Sequence, residues 1–158
     1  RGFRIKTRRG RGSTSVVDGI RFSHVKMEQV SHCFVINMFY HCDPDGHSNL
    51  VQCKEALPAG PETPAVQNIT LSDICADEIA GSAVFLYGLP ESSIRNVTVK
   101  NSRFRFAEQR LLECPDLMDD PVLIPNLGVY AKNVQGLTFK NNQMEGTHVD
   151  KMEQEEKA

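Results

Sequence analysis

With 158 residues, 40% of them hydrophobic, the chain is long enough for one domain with its own core and needs no second. No apolar run approaches the length that spans a bilayer, and the first residues have neither an apolar core nor a small-residue cleavage site, so neither a membrane helix nor a signal peptide is read from them. Charge is nearly balanced, 18 basic against 20 acidic residues, yet six cations stand in the first eleven positions: Arg1, Arg4, Lys6, Arg8, Arg9 and Arg11. That leaves 12 basic against 20 acidic residues in the rest. A basic stretch on an acidic body suits an anionic polymer, and nucleic acid is one such polymer.

The opening residues carry more than charge. Phe3 and Ile5 alternate with Arg4 and Lys6, the period-2 pattern of a strand that buries one face and presents two cations on the other. A disordered basic tail has no need of that alternation.

Next along the chain comes VDGIRFSHVKM (17–27), and its pattern returns without gaps as VQNITLSDICA (66–76), IRNVTVKNSRF (94–104) and VQGLTFKNNQM (134–144). In each copy the fourth and sixth positions are apolar, and the alternation then slips by one residue. At the slip, the eighth position, stand His24, Asp73, Asn101 and Asn141, residue types that tolerate a left-handed backbone. A strand, a one-residue corner and a second strand describe one rung of a coil stacked in parallel on its neighbours, so the fold class expected is all-β, a right-handed parallel β-helix. An antiparallel sandwich ranks second, because it has no need of the same slip in every copy. Ser102 and Asn142 stand where Val25 and Ile74 predict an apolar residue, which reads as a pattern loosening towards the C-terminus.

Between the copies, Cys33–Tyr40, Ala83–Leu89 and Leu127–Ala131 read as further strands, each another side of a coil. The stretches 42–64 and 107–126, rich in Pro and acidic residues, read as surface loops, and Asp119 and Asp120 as solvated members of the second. In the first loop His41, Cys42, Asp43, Asp45 and His47 crowd together without zinc-finger or EF-hand spacing, so an Asp-Pro-Asp-Gly turn is expected and no metal. Five scattered cysteines without a Cys-x-x-Cys pair read as core thiols rather than a disulfide framework. Asn68 and Asn96 match glycosylation acceptors but lie inside predicted strands, and Gly136 at the matching place assigns the position to the repeat. The coil is expected to occupy 1–144, with a polar tail over 145–158, a frayed cap or disordered.

Four features together resemble the C-terminal part of a glycoside hydrolase family 28 protein, the polygalacturonase (pectinase) family. They are Arg4-Ile5-Lys6 at the end of a strand, VINMFYHCDPDG one coil later, FLYGLPE at 85–91, and the repeats themselves. The resemblance implies inverting hydrolysis of α-1,4 bonds between galacturonic acid units. It also implies that Arg4 and Lys6 bind substrate carboxylates and that Tyr40 lines a subsite. Arg grips a carboxylate through paired hydrogen bonds and Lys offers a compact charge, which fits an anionic sugar. The partner implied is polygalacturonate or pectin oligomers, with no nucleic acid, membrane or cofactor. The family is usually secreted, while unpaired cysteines are compatible with a cytoplasmic form.

The family's catalytic carboxylates belong to Asn-Thr-Asp and Asp-Asp motifs, with a Gly-His-Gly nearby, all preceding Arg-Ile-Lys. None of these stands before Arg4 here, and Asp119-Asp120 comes too late in the order. An inverting glycosidase needs both an acid and a base. The expectation is therefore a polygalacturonase fragment that holds substrate-binding residues and lacks the catalytic aspartates. Such a fragment is expected to expose unpaired strands at its N-terminal end and therefore to self-associate. Two other readings stay open: a non-catalytic carbohydrate-binding β-helix, and an RNA-binding protein with a basic N-terminal arm.

Overall fold

A computed structural model describes residues 1–12, 14–61, 63–109, 114–115, 117–123, 127–146 and 153–154. The chain enters at β1 (Phe3–Lys6), crosses through β2 (Val16–Asp18) and β3 (Arg21–Glu28), and returns at β4 (His32–Asn37). A short helix, α1 (Asn49–Gln52), interrupts the next loop before the long β5 (Ala65–Ile79) and then β6 (Ser82–Tyr87). The circuit repeats with β7 (Ile94–Lys100), β8 (Arg103–Phe106) and β9 (Leu127–Lys132), and again with β10 (Val134–Lys140), β11 (Gln143–Glu145) and β12 (Glu153–Gln154).

Successive turns stack strand on strand. The first sheet runs β1-β4-β6-β9-β12, and the second stacks β2 and β3 on β5, then β7 and β8, then β10 and β11. Among the described residues every strand pairing is parallel, the arrangement of a parallel β-helix, and the one antiparallel bridge, between Arg8 and Phe39, lies outside the strands. An antiparallel sandwich is thereby excluded.

The polar corner at the eighth repeat position holds in all four copies: His24, Asp73, Asn101 and Asn141 have φ of 57°, 58°, 52° and 53°. Two further corners accompany it. Gly19, Asn68, Asn96 and Gly136, at the third position, also have positive φ, as do Gln29, Glu78 and Gly146 at the thirteenth. The corner asparagines stack between turns: Asn96 Nδ2 donates to Asn68 Oδ1 at 3.0 Å, and Asn68 Nδ2 to Asp18 Oδ1 at 2.7 Å. Both acceptor motifs thus lie within β7 and β5, as their repeat position predicts.

Ser102 and Asn142 do not loosen the coil. The Ser102 hydroxyl accepts the Ile74 N–H at 3.1 Å and donates to the Lys100 carbonyl at 2.8 Å. Asn142 accepts the Ser102 N–H at 3.0 Å and donates to the Val99 carbonyl at 2.8 Å. At this corner the backbone turns away from its ladder, and a polar side chain that completes the backbone hydrogen bonds replaces an apolar one that fills space.

The core lies between the sheets. Phe34, Ile36, Val84 and Leu86 of the first sheet and Ile69, Leu71, Val97 and Val99 of the second are fully buried. Each such side chain contributes about 1.5–3 kcal/mol on burial. Phe3 and Ile5 belong to this inner side, since Phe3 stacks on Phe22 at 3.9 Å and pairs in register with Phe34. Of the cysteines only Cys33 joins the core, while Cys42 is exposed and Cys53, Cys75 and Cys114 are half-buried. Of the C-terminal tail, Glu153–Gln154 pairs with Tyr130 and Ala131 at the end of the first sheet; residues 147–152 and 155–158 lie outside the described residues, apart from the backbone of that pairing. No helix among the described residues is long and apolar enough to cross a membrane.

Candidate substrate-binding site

Because Phe3 and Ile5 face inward, Arg4 and Lys6 face outward, and both are exposed. Register extends these two positions into rows across the first sheet. Arg4 lies beside Val35, then Phe85, then Tyr130, and Lys6 beside Asn37, then Tyr87, then Lys132.

Beyond β1 this outer face is not open. Val35, Phe85 and Asn37 are wholly buried although they point away from the core. The chain after β4 folds back over part of this face: Phe39 N–H donates to Asn37 Oδ1 at 2.9 Å and the Phe39 ring lies 4.9 Å from that of Tyr87, while Phe85 stacks on Tyr130 of the neighbouring strand at 4.9 Å and 10°. Lys54 Nζ sits 4.0 Å above the Phe39 ring and 5.9 Å from that of Tyr87. Burial there pushes the Lys54 ammonium down to about 8, against the opposing pull of Asp119 and Asp120. The open part of the face is therefore the β1 edge, with a covered wall beside it.

Tyr40 stands where wall and edge meet. Thr7 N–H donates to the Asn37 carbonyl at 3.1 Å and Tyr40 N–H to the Thr7 carbonyl at 3.3 Å, which ties the exit of β4 to the exit of β1. The result is direct contact: Lys6 Nζ donates to Tyr40 Oη at 3.1 Å and lies 4.3 Å from its ring centroid. Arg4 is two residues from Lys6 on the same face, about 7 Å along the strand. The structure thus joins Lys6 to the half-buried Tyr40 and leaves Arg4 on the same strand face as Lys6.

The other arginines of the basic stretch have different work. Arg8, buried, donates through Nε to Asp43 at 2.8 Å and through Nη2 and Nη1 to both oxygens of Asp45 at 2.7 and 3.0 Å. Burial alone would lower the Arg8 pKa; the bonds to Asp43 and Asp45 outweigh it and raise it. Arg11 reaches the same Asp43 oxygen at 2.5 Å, and these two arginines hold that carboxyl below its ordinary range. The Asp-Pro-Asp-Gly segment is indeed a turn, closed by Gly46 N–H to the Asp43 carbonyl at 2.9 Å, and its aspartates serve Arg8 and Arg11.

Arg9 is more deeply engaged. Its side chain is 2% exposed and that of its partner Glu91 6%. Nε and Nη2 meet the two Glu91 oxygens at 2.6 and 2.9 Å, while the remaining donors reach the carbonyls of Leu50, Cys53 and Glu55 at 3.1, 2.7 and 3.3 Å. All five N–H groups of the guanidinium are satisfied. Burial favours the neutral acid at Glu91, but the Arg9 bonds prevail and keep the carboxyl below its usual value. From Arg8 to Arg11 the basic stretch is a set of pins holding the wall in place, not the free basic arm of the rival reading.

The comparisons follow the same segments. The model of the glycosyl hydrolases family 28 matches residues 1–118, three quarters of the chain. The chain belongs to this family. Among curated proteins and among solved structures nothing matches it. The family assignment accounts for the parallel coil and makes the protein, by family, a glycoside hydrolase. FLYGLPE, one of the segments that carry the resemblance, is joined here to the basic stretch by the Arg9–Glu91 pair.

Sequence reasoning missed a second gathering. His41 and His47, from the turn-bearing loop, both place Nδ1 on Asp119 Oδ1, at 3.0 and 2.8 Å. Asp119, read as a solvated loop residue, is thus a junction, and its carboxyl is lowered first by the His41 bond and further by His47. A separation of more than 70 positions hid it. A depression of about 460 Å³ lies elsewhere, on the corner row of the second sheet beside Asp73, Asn101 and Arg103, and contains none of Arg4, Lys6 or Tyr40.

Proposed function

We propose that this family 28 chain carries the substrate-holding part of a polygalacturonase-like site, with Arg4 and Lys6 taking galacturonate carboxylates and Tyr40 flanking a sugar ring. The contact of Lys6 with Tyr40 at the open β1 edge supports this reading above all. An anion arriving there meets two exposed cations on one strand face, and the tyrosine gives an apolar face with a hydroxyl at its rim. Binding would exchange the Lys6–Tyr40 hydrogen bond for one from Lys6 to a carboxylate, a charge-assisted and stronger partner.

Hydrolysis with inversion needs a carboxylic acid at the leaving oxygen and a carboxylate that activates water on the opposite face. Among the described residues, Asp43, Asp45 and Glu91 are occupied by arginines and Asp119 by two histidines. In this proposal these 158 residues bind substrate, and the acid and base of the family are not among them. The reading of the chain as an RNA-binding arm draws less support, since Arg8 and Arg9 are buried against acids.

The test is reducing-end release from polygalacturonate by the 158-residue chain. No release is expected. Turnover that disappears on Asp120→Asn would overturn the proposal and return the late Asp-Asp pair to the chemistry.

A further inference from the structure

We propose that His41, His47 and Asp119 form a binding site for a zinc-class divalent metal that clamps the loop after β4 to the loop before β9. One ligand atom of each residue lies within 4.8 Å of the others. The two bonds to Asp119 Oδ1, 3.0 and 2.8 Å, are a few tenths of an ångström short of the roughly 3.3 Å between neighbouring ligands of a tetrahedral zinc with bonds near 2.0–2.1 Å. Slight widening of the triangle admits an ion.

Two imidazole nitrogens and one carboxylate suit zinc, cobalt or nickel rather than magnesium or calcium, which prefer oxygen alone. Without an ion each Nδ1–H donates to the Asp119 carboxylate; on binding, the proton moves to Nε2 and the Nδ1 lone pair turns to the metal. With the His47 side chain 66% exposed, water has access to the remaining position, the three-ligand, open arrangement.

The surroundings hold the three residues in place without any ion. Gln52 spans both loops: its Nε2 donates to the Gly46 and Phe39 carbonyls at 2.7 and 2.8 Å, and its Oε1 accepts the Asp119 N–H at 3.0 Å. His41 N–H donates to the Leu117 carbonyl at 3.3 Å. Gly46 allows the loop to double back, since a Cβ there would lie 2.0 Å from the His41 carbonyl oxygen. That close approach brings two histidines six positions apart to a ring separation of 4.4 Å. A ligand set already oriented by its supporting shell loses little freedom on binding.

The experiment titrates chelator-stripped chain with Zn²⁺ by calorimetry and with Co²⁺ by absorption. One equivalent is expected to bind saturably, with cobalt d–d bands and no thiolate charge-transfer band in the near ultraviolet. His47→Ala and Asp119→Asn are each expected to weaken binding at least about tenfold, while Cys42→Ser, which removes the exposed neighbouring thiol, leaves it unchanged. His47 is exposed, so its variant tests the ligand without disturbing the core. Absence of saturable binding, affinity in both ligand variants equal to that of the parent chain, or a thiolate band that vanishes with Cys42→Ser would each overturn the site.

Discussion

Replacing Glu91 with Gln keeps the shape of the side chain but leaves the Arg9 guanidinium charged, 2% exposed, and without its counter-ion. The amide offers one acceptor where the carboxylate offered two charged ones, at 2.6 and 2.9 Å. Breaking one side of a buried pair costs about 3–5 kcal/mol, and the remaining acceptor argues for the lower end, about 3 kcal/mol. For a chain of this size that corresponds to a fall in Tm of roughly 6–12 °C. Arg9→Ala removes more, because the Leu50, Cys53 and Glu55 carbonyls lose their donor as well. Urea and thermal unfolding followed by circular dichroism measure both. The pH dependence supplies a second check. Glu91 is depressed in the folded chain, so its contribution is complete above the ordinary glutamate range near 4.3 and is lost as pH falls through the lower folded value. Glu91→Gln therefore flattens the acid limb of the stability profile. The apolar double variant Arg9→Met/Glu91→Leu leaves no buried charge behind but still strips the Leu50, Cys53 and Glu55 carbonyls of their donor, so it is expected to be more stable than Arg9→Ala and to recover only part of the loss. A Glu91→Gln midpoint within about 1 °C of the parent, with an unchanged acid limb, would refute the role given to the pair.

Two further outcomes follow from the same geometry. Asn101→Val forces a β-branched residue to φ 52° at a corner and is expected to cost about 1–2 kcal/mol in urea unfolding, whereas Asn101→Gly costs markedly less; equal losses would remove the conformational argument. Lys54, at about 8, is expected to give an amine acylation profile with its midpoint there, shifted lower in Asp119→Asn; since its folded value is depressed, the linked stability rises as pH climbs from about 8 towards its unfolded value, and a midpoint above 10 would contradict its burial against Phe39.

The coil was legible because its signal is local and repeated. His24, Asp73, Asn101 and Asn141 mark one corner in four copies, and the inward pairs such as Ile69 and Leu71 mark the sides. The corner at Asn68 and Asn96 was half visible, as a repeat position rather than a left-handed one. Ser102 and Asn142 misled because hydrophobic periodicity does not register a side chain that completes backbone hydrogen bonds. The strand face of Arg4 and Lys6 also followed from alternation alone. What alternation could not reveal was the fate of Arg8 and Arg9, whose acids lie 37 and 82 positions away. Nor could it bring Asp119 to His41 and His47. Charge at a distance along the chain carries no period, so pairing across loops emerges only once the coil has stacked them.

The central claim is that the β1 edge binds galacturonate through Arg4 and Lys6, and calorimetry with galacturonate oligomers tests it most directly. Losing one charge-assisted hydrogen bond, about 1.5–3 kcal/mol, corresponds to roughly ten- to hundredfold in affinity. The account predicts measurable binding by the chain, a fall of that size in Arg4→Ala and in Lys6→Ala, and little affinity for uncharged galactose oligomers. Affinity unchanged in both variants, or equal for the charged and uncharged oligomers, would contradict it.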